Sequence, residues 1–257
     1  MKNMNNSNSF ASGITNAKRV VLLIVLALLV QTSQAHHGKD FLVASSCTTP
    51  HEGSLCAHFN TQYFSENHSS ESLMLFSSGL IYGLTDDIGL EFHSHFNTMS
   101  SSTHVEALAL EARYNILSEA DEHSSLDGTT NPFSLATSLE FEKGIVGHPS
   151  VLESRLIIGK EFGFIMLVGN LVVMQEFEEG QHPETQFVIG MKTMITNSIG
   201  MLVELLNNNH HTEGTQLSLG CSIALMKKFD VTIGTNFINQ NHGTMISSFQ
   251  SMMMYTF

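Results

Sequence analysis

Between Leu73 and Phe96 the chain alternates about a polar turn. Before the turn, Met74, Phe76, Ser78, Leu80 and Tyr82 alternate with Leu73, Leu75, Ser77, Gly79 and Ile81. After it, Leu90, Phe92, Ser94 and Phe96 share one face, while Glu91, His93, His95 and Asn97 share the other. A period of two marks a strand with one apolar and one polar side. Gly83, Thr85, Asp86 and Asp87 are residues that reverse a chain readily. The same device recurs. Strands are predicted over 54–65, 71–82, 88–98, 102–116, 133–143, 151–162, 164–177, 184–195, 199–207, 214–226, 229–239 and 243–257. Most approach the roughly 9–11 residues that a tilted strand needs to cross a bilayer.

The predicted connections fall into two sets. Gly83–Ile88, Glu161–Gly163, Thr196–Gly200 and Lys227–Asp230 are tight, whereas Glu66–Glu71, Asn97–Thr103, Gly144–Ser150, Glu178–Glu184, Asn207–Gly214 and Gln240–Gly243 are mostly longer and polar. Short turns on one rim and longer loops on the other fit an outer-membrane barrel. Leu117–Asn131 departs from this, being long and acidic on the short-turn side. One face of the strands carries residues such as Leu108, Leu110, Leu139, Phe141, Leu156 and Ile158. The other carries Glu91, His93, His95, Glu111, Arg113, Glu140, Glu142, Glu153, Arg155, Asn170, Lys192 and Glu204. In a soluble barrel the apolar face would turn inward; in a membrane barrel it meets lipid and the charged face lines the lumen. Periodicity alone leaves both open.

The ends of the chain decide between them. Met253, Tyr255 and Phe257 share a face, and Phe257 is the last residue given, the arrangement of the assembly signal of bacterial outer-membrane proteins. At the other end, Lys2, Lys18 and Arg19 precede the apolar run Val20–Val30 and then Ser33-Gln34-Ala35. This pattern reads as a secretory signal peptide over 1–35, and the run is too short to span a membrane as a helix. The chain has 11 Lys+Arg and 24 Asp+Glu; removing the three bases of the signal leaves 8 against 24, or −16. Such a charge disfavours nucleic acid, and no nucleotide-binding motif is present. The absence of Trp leaves Tyr and Phe to form any aromatic girdle. Residues 36–52 read as a periplasmic lead-in and 53–257 as one barrel domain. Cys47 and Cys56 either form a disulfide in an oxidising compartment or remain reduced, leaving Cys221 as a small hydrophobe in a strand.

Tyr82-Gly83-Leu84-Thr85-Asp86, the terminal Phe257 and the start Ala35-His36-His37-Gly38 resemble a widespread group of bacterial outer-membrane barrels described as transporters, some linked by name to phenol-degradation pathways. The resemblance spans most of the mature chain and implies a barrel fold and a transport role. It supplies no catalytic residues.

The chemistry on offer is polar rather than catalytic. His93 and His95, two apart on one strand, point to one side and either bind a transition metal or simply fill a polar lumen. A mature N-terminus at His36 would add an amine and an imidazole for copper. No Gly-x-Ser-x-Gly elbow occurs, and Ser94 points away from its flanking histidines, so no enzyme is expected. The expectation is an all-β, single antiparallel transmembrane barrel of about twelve strands, in the bacterial outer membrane. It would pass a small solute through an acidic lumen, with lipid and the barrel-assembly machinery as partners and no cofactor. The alternative is a non-conducting structural or metal-binding barrel.

Overall fold

The computed structural model describes residues 39–64, 73–99, 102–119, 131–145, 147–208, 214–239 and 245–257. The expected signal peptide and His36 lie outside these residues. Twelve strands follow in order: β1 (Leu55–Phe64), β2 (Leu73–Gly83), β3 (Ile88–Met99), β4 (Ser102–Leu117), β5 (Ser134–Gly144), β6 (Val151–Phe162), β7 (Ile165–Glu176), β8 (Glu184–Thr196), β9 (Ile199–Asn208), β10 (Thr215–Met226), β11 (Phe229–Asn239) and β12 (Met245–Thr256). Each pairs antiparallel with its chain neighbours, and β1 pairs with β12 from Cys56↔Thr256 to Phe64↔Ser248, which closes the barrel. Closure removes the unpaired edges that an open sheet would expose. Every predicted strand is present, with ends displaced by two residues at most.

The turns follow from local chemistry. Between β6 and β7 only Gly163 and Phe164 intervene, and Gly163 takes φ +62°, a left-handed conformation that glycine adopts without the usual Cβ penalty. At the β2–β3 turn, Thr85 Oγ1 accepts hydrogen bonds from the Asp87 and Ile88 backbone N–H groups. β4 and β5, on either side of the long acidic stretch, pair directly with each other. The ends of that stretch are tied down: Asn131 donates to the Ser118 carbonyl, and Lys160 pairs with Glu119. The β3–β4 connection is shorter than predicted. Both strands run on until only residues 100 and 101 lie between them.

The distribution of side chains is inverted relative to a soluble domain. Leu80, Phe92, Leu110, Leu139, Leu156, Ile189 and Met201 are exposed on the outside, while Glu91, Glu111, Arg113, Asn170, Lys192 and Glu204 are buried on the inside. Alternation places these two sets on opposite faces of each strand. An apolar exterior around a polar interior is the arrangement of a transmembrane barrel, in which the backbone satisfies its own hydrogen bonds against hydrocarbon.

The alternation yields a direct test. Leu156 faces outward and is 46% exposed, and Glu153 faces inward on the same strand. Lysine at a lipid-facing midplane position costs about 2–4 kcal/mol, falling towards the interfaces. Leu156→Lys should therefore lower the folded fraction in a heat-modifiability assay, and Glu153→Gln should fold like the parent. The reverse order would mean that the two faces are exchanged.

Candidate functional site in the barrel lumen

Twelve strands enclose more space than an eight-stranded barrel, whose side chains suffice to fill it. Here a stretch of the chain itself enters. Residues 39–50, expected as part of a periplasmic lead-in, bond to inward-facing side chains on seven strands around the ring, a set of partners that can be reached only from inside the barrel. Glu204 of β9 accepts the backbone N–H groups of Leu42, Val43 and Ala44 at 2.8, 2.8 and 2.7 Å. Asn170 of β7 accepts from the Ser45 N–H at 2.7 Å and donates to the Ser45 carbonyl at 2.9 Å. Gln250 of β12 donates to the Leu42 carbonyl, and Arg113 of β4 to that of Ser46. Arg155 of β6 donates to Ser45 Oγ at 2.6 Å. Lys192 of β8 pairs with Asp40 at 3.3 Å, and Lys39 with Glu91 of β3 at 3.2 Å.

The entering segment is anchored by apolar contact as well. Phe41, Leu42 and Ala44 pack with Val168, Val188 and Leu202, which project inward from β7, β8 and β9. Phe41 lies against Gly190, where an added Cβ would stand 2.9 Å from its ring. A buried aromatic ring removes a large apolar surface from water, so the segment is held by more than its polar bonds. It leaves the lumen at the rim holding the β2–β3 turn. There Thr49 donates to the Asp86 carbonyl at 2.7 Å, and the Glu52 N–H donates to the Asp86 carboxylate at 3.0 Å. That N–H bond and nearby His51 hold the exposed Asp86 carboxyl below its ordinary range.

The lumen wall is strongly polarised. Register places Glu91 opposite Glu111, Glu111 opposite Glu140, and Glu140 opposite Glu153, a lateral row of four carboxylates across β3–β6. Like charges directly opposite one another destabilise a sheet unless countercharges intervene. Arg113 meets Glu111 at 2.9 Å and Arg155 meets Glu153 at 2.7 Å. Each of these arginines bridges a residue two positions earlier on its own strand. The two side chains of such an i, i+2 pair lie on one face, within reach of each other. Lys39 adds a third cation. Burial works against its charge, but Glu91, Glu111 and Glu140 outweigh that effect and raise its pKa.

Histidines continue the network. His93 Nε2 is 3.6 Å from Glu140, and His95 Nε2 is 3.5 Å from Glu142. All twelve predicted lining residues point inward, and the Asn170, Arg113, Arg155, Lys192, Glu91 and Glu204 side chains engage the entering segment. His95, Glu140, Glu142 and Glu153 are less enclosed. Met253, Tyr255 and Phe257 face outward, with the Tyr255 and Phe257 rings edge to face at 5.0 Å.

Of the two alternatives left open for Cys47 and Cys56, the structure has both cysteines free. Cys47 rides on the entering segment beside Ala136 and Ile157, whereas Cys56 packs against Ile81 and Met254 on the β2–β1–β12 wall. The intervening chain turns at the rim and separates the two sulfurs. Burial pushes the Cys47 thiol up to about 11.

The fold is shared with solved channels. An outer-membrane channel from Pseudomonas putida F1 superposes with a TM-score of 0.57 at 13% identity, covering 82% of this chain and 97% of that one. The KdgM porin gives 0.52 at 10%, covering 78% and 99%, and the NanC porin 0.53 at 9%, covering 77% and 98%. Likeness at this level is one of fold. No protein-family model and no curated protein matches the sequence.

Sequence reading missed the entering segment. Two signals pointed to it: the run Phe41-Leu42-Val43-Ala44, and β7, which is apolar on both faces through Val168 and Val172 inside and Leu167, Leu171 and Val173 outside. A strand apolar on both sides is one covered on both sides.

The Glu204 bonds provide the test. Hydrogen bonds to a charged group contribute about 1.5–3 kcal/mol each, so Glu204→Ala should loosen the segment while the strand ladder persists. Cys47 then reports the change. Protonated and enclosed, it should react slowly with a maleimide at pH 8 in the parent and markedly faster in Glu204→Ala. Equal rates with an intact, heat-modifiable barrel would show that Glu204 does not hold the segment.

Proposed function

We propose that this barrel resides in a bacterial outer membrane and passes a small solute through an acidic lumen, with residues 39–50 acting as a plug that must shift before the path opens. The observation that carries this reading is how the plug is held. Its partners are hydrogen bonds, ion pairs and two small apolar clusters, all reversible, and Cys47, its cysteine, is free. The porin-like fold supports passage in general terms, and the chain's motifs resemble those of the phenol-degradation-linked transporter group. Glu140, Glu142 and Glu153, only partly buried, would favour cations or neutral polar solutes over anions. This reading assigns the barrel no catalytic step.

A second reading is favoured by the same plug. A lumen occupied by twelve residues and crossed by seven strands' worth of bonds also suits a non-conducting structural barrel. Conductance in a planar bilayer separates the two. On the transport reading the parent should show rare or small openings, and Glu204→Ala should open more often. In that open variant, Glu153→Gln should lower the preference for potassium over chloride. Silence from both parent and Glu204→Ala would favour the structural barrel.

Delivery to the membrane is assigned to residues 1–35 as a signal peptide, and recognition by the barrel-assembly machinery to the outward-facing Met253, Tyr255 and Phe257. Deleting Phe257 should reduce the heat-modifiable form recovered from outer membranes. Unchanged recovery would remove the terminal aromatic from that role.

A further inference from the structure

Register sets His58 of β1 opposite Gly79 of β2, and Gly79 opposite His93 of β3. The two histidines therefore stand two strand spacings apart, about 10 Å between backbones. Their rings nevertheless approach to 6.1 Å between centroids, because they lean together over the glycine. An added Cβ at Gly79 would overlap His58 Nε2 and the His93 Cβ. Glu91 lies two residues before His93 on the same face and reaches into the gap. Its Oε1 is 2.9 Å from His58 Nε2 and 3.0 Å from His93 Nδ1. His58, Glu91 and His93 are 7%, 4% and 5% exposed. The three atoms meet at short distance but at poor hydrogen-bonding angles, and Lys39 is the further charge on Glu91 Oε1. Buried polar atoms that bond poorly to one another are costly, and a cation placed between them would use all three lone pairs.

We propose that His58 Nε2, Glu91 Oε1 and His93 Nδ1 form a binding site for a divalent transition metal such as zinc, and that Lys39 of the plug competes with the metal for Glu91. The three atoms lie within 4.8 Å of one another. Ligands held about 2.0–2.1 Å from a tetrahedral zinc stand roughly 3.3 Å apart, so the two short separations need open by only a few tenths of an ångström. Two imidazoles and one carboxylate suit zinc, nickel or copper, whereas calcium and magnesium call for oxygen ligands. The surroundings are those of a ligating histidine. Glu140 faces the other nitrogen of His93, Nε2, and a proton held there leaves the Nδ1 lone pair for the metal.

Lys39 Nζ stands 3.2 Å from the same Glu91 Oε1. An ammonium and a divalent cation on one oxygen repel each other, so metal entry displaces Lys39 and removes one anchor of the plug. This site differs from the set His36, His93 and His95 suggested by the sequence: His93 alone is common to both, and it is used here through Nδ1. The inference does not rest on transport, because metal can bind whether or not the barrel conducts.

Zinc titrated calorimetrically into the full mature chain in detergent tests it, with heat modifiability confirming that each variant is folded. The parent or Lys39→Gln should bind one zinc that is lost, by more than about 100-fold in affinity, in both His58→Gln and His93→Gln; even an outer-sphere partner is worth roughly 10–100-fold. Lys39→Gln should bind about tenfold tighter than the parent or more, the scale of one unit charge a few ångströms away. Binding seen only in Lys39→Gln also supports the site. Absence of binding in both the parent and Lys39→Gln, or binding that survives both histidine substitutions, overturns it. Equal affinity in the parent and Lys39→Gln overturns the competition.

Discussion

Closing twelve antiparallel strands into one ring satisfies every ladder but encloses a space wider than the inward side chains can fill. A buried void forfeits dispersion contacts, and water inside it must find polar partners. Residues 39–50 meet that constraint. They contribute Phe41, Leu42 and Ala44 to an apolar cluster with Val168, Val188 and Leu202, and their backbone groups bond to Glu204, Asn170, Gln250 and Arg113. The polar character of the wall follows from the same geometry. A segment without regular secondary structure needs donors and acceptors from its surroundings, and the inward face provides them.

The electrostatics are equally interdependent. The row Glu91–Glu111–Glu140–Glu153 would repel itself if left bare. Arg113 and Arg155 neutralise two members from within their own strands, then extend to Ser46 and Ser45 of the plug. Lys39 supplies charge at Glu91, where His58 and His93 also converge. Wall and plug are thus one charge system, and removal of the plug uncovers carboxylates together with the histidines beside them. This coupling ties the packing of the segment to the charge carried by the lumen wall.

The outer surface obeys a different rule. Leu80, Phe92, Leu110, Leu156 and Met201 contribute by contact with hydrocarbon rather than with one another. A substitution there acts on the barrel's compatibility with lipid, whereas a substitution at Glu204 or Asn170 acts on the plug. The two classes separate cleanly because strand alternation keeps their side chains on opposite faces.

The sequence by itself determined the twelve strands, their ends to within two residues, and which residues share a face, because a period of two is a local property of the chain. The assignment of Glu111, Arg113, Glu153 and Arg155 to one face rested on that periodicity. Tertiary structure decided what the local pattern cannot encode. The path of residues 39–50 depends on Glu204 and Gln250, more than 150 residues away in the chain. The separation of Cys47 from Cys56 depends on which wall each sulfur reaches. The meeting of His58, Glu91 and His93 depends on inter-strand register and on the missing side chain at Gly79. Periodicity reveals which way a side chain points; only closure of the ring brings distant side chains to a common point.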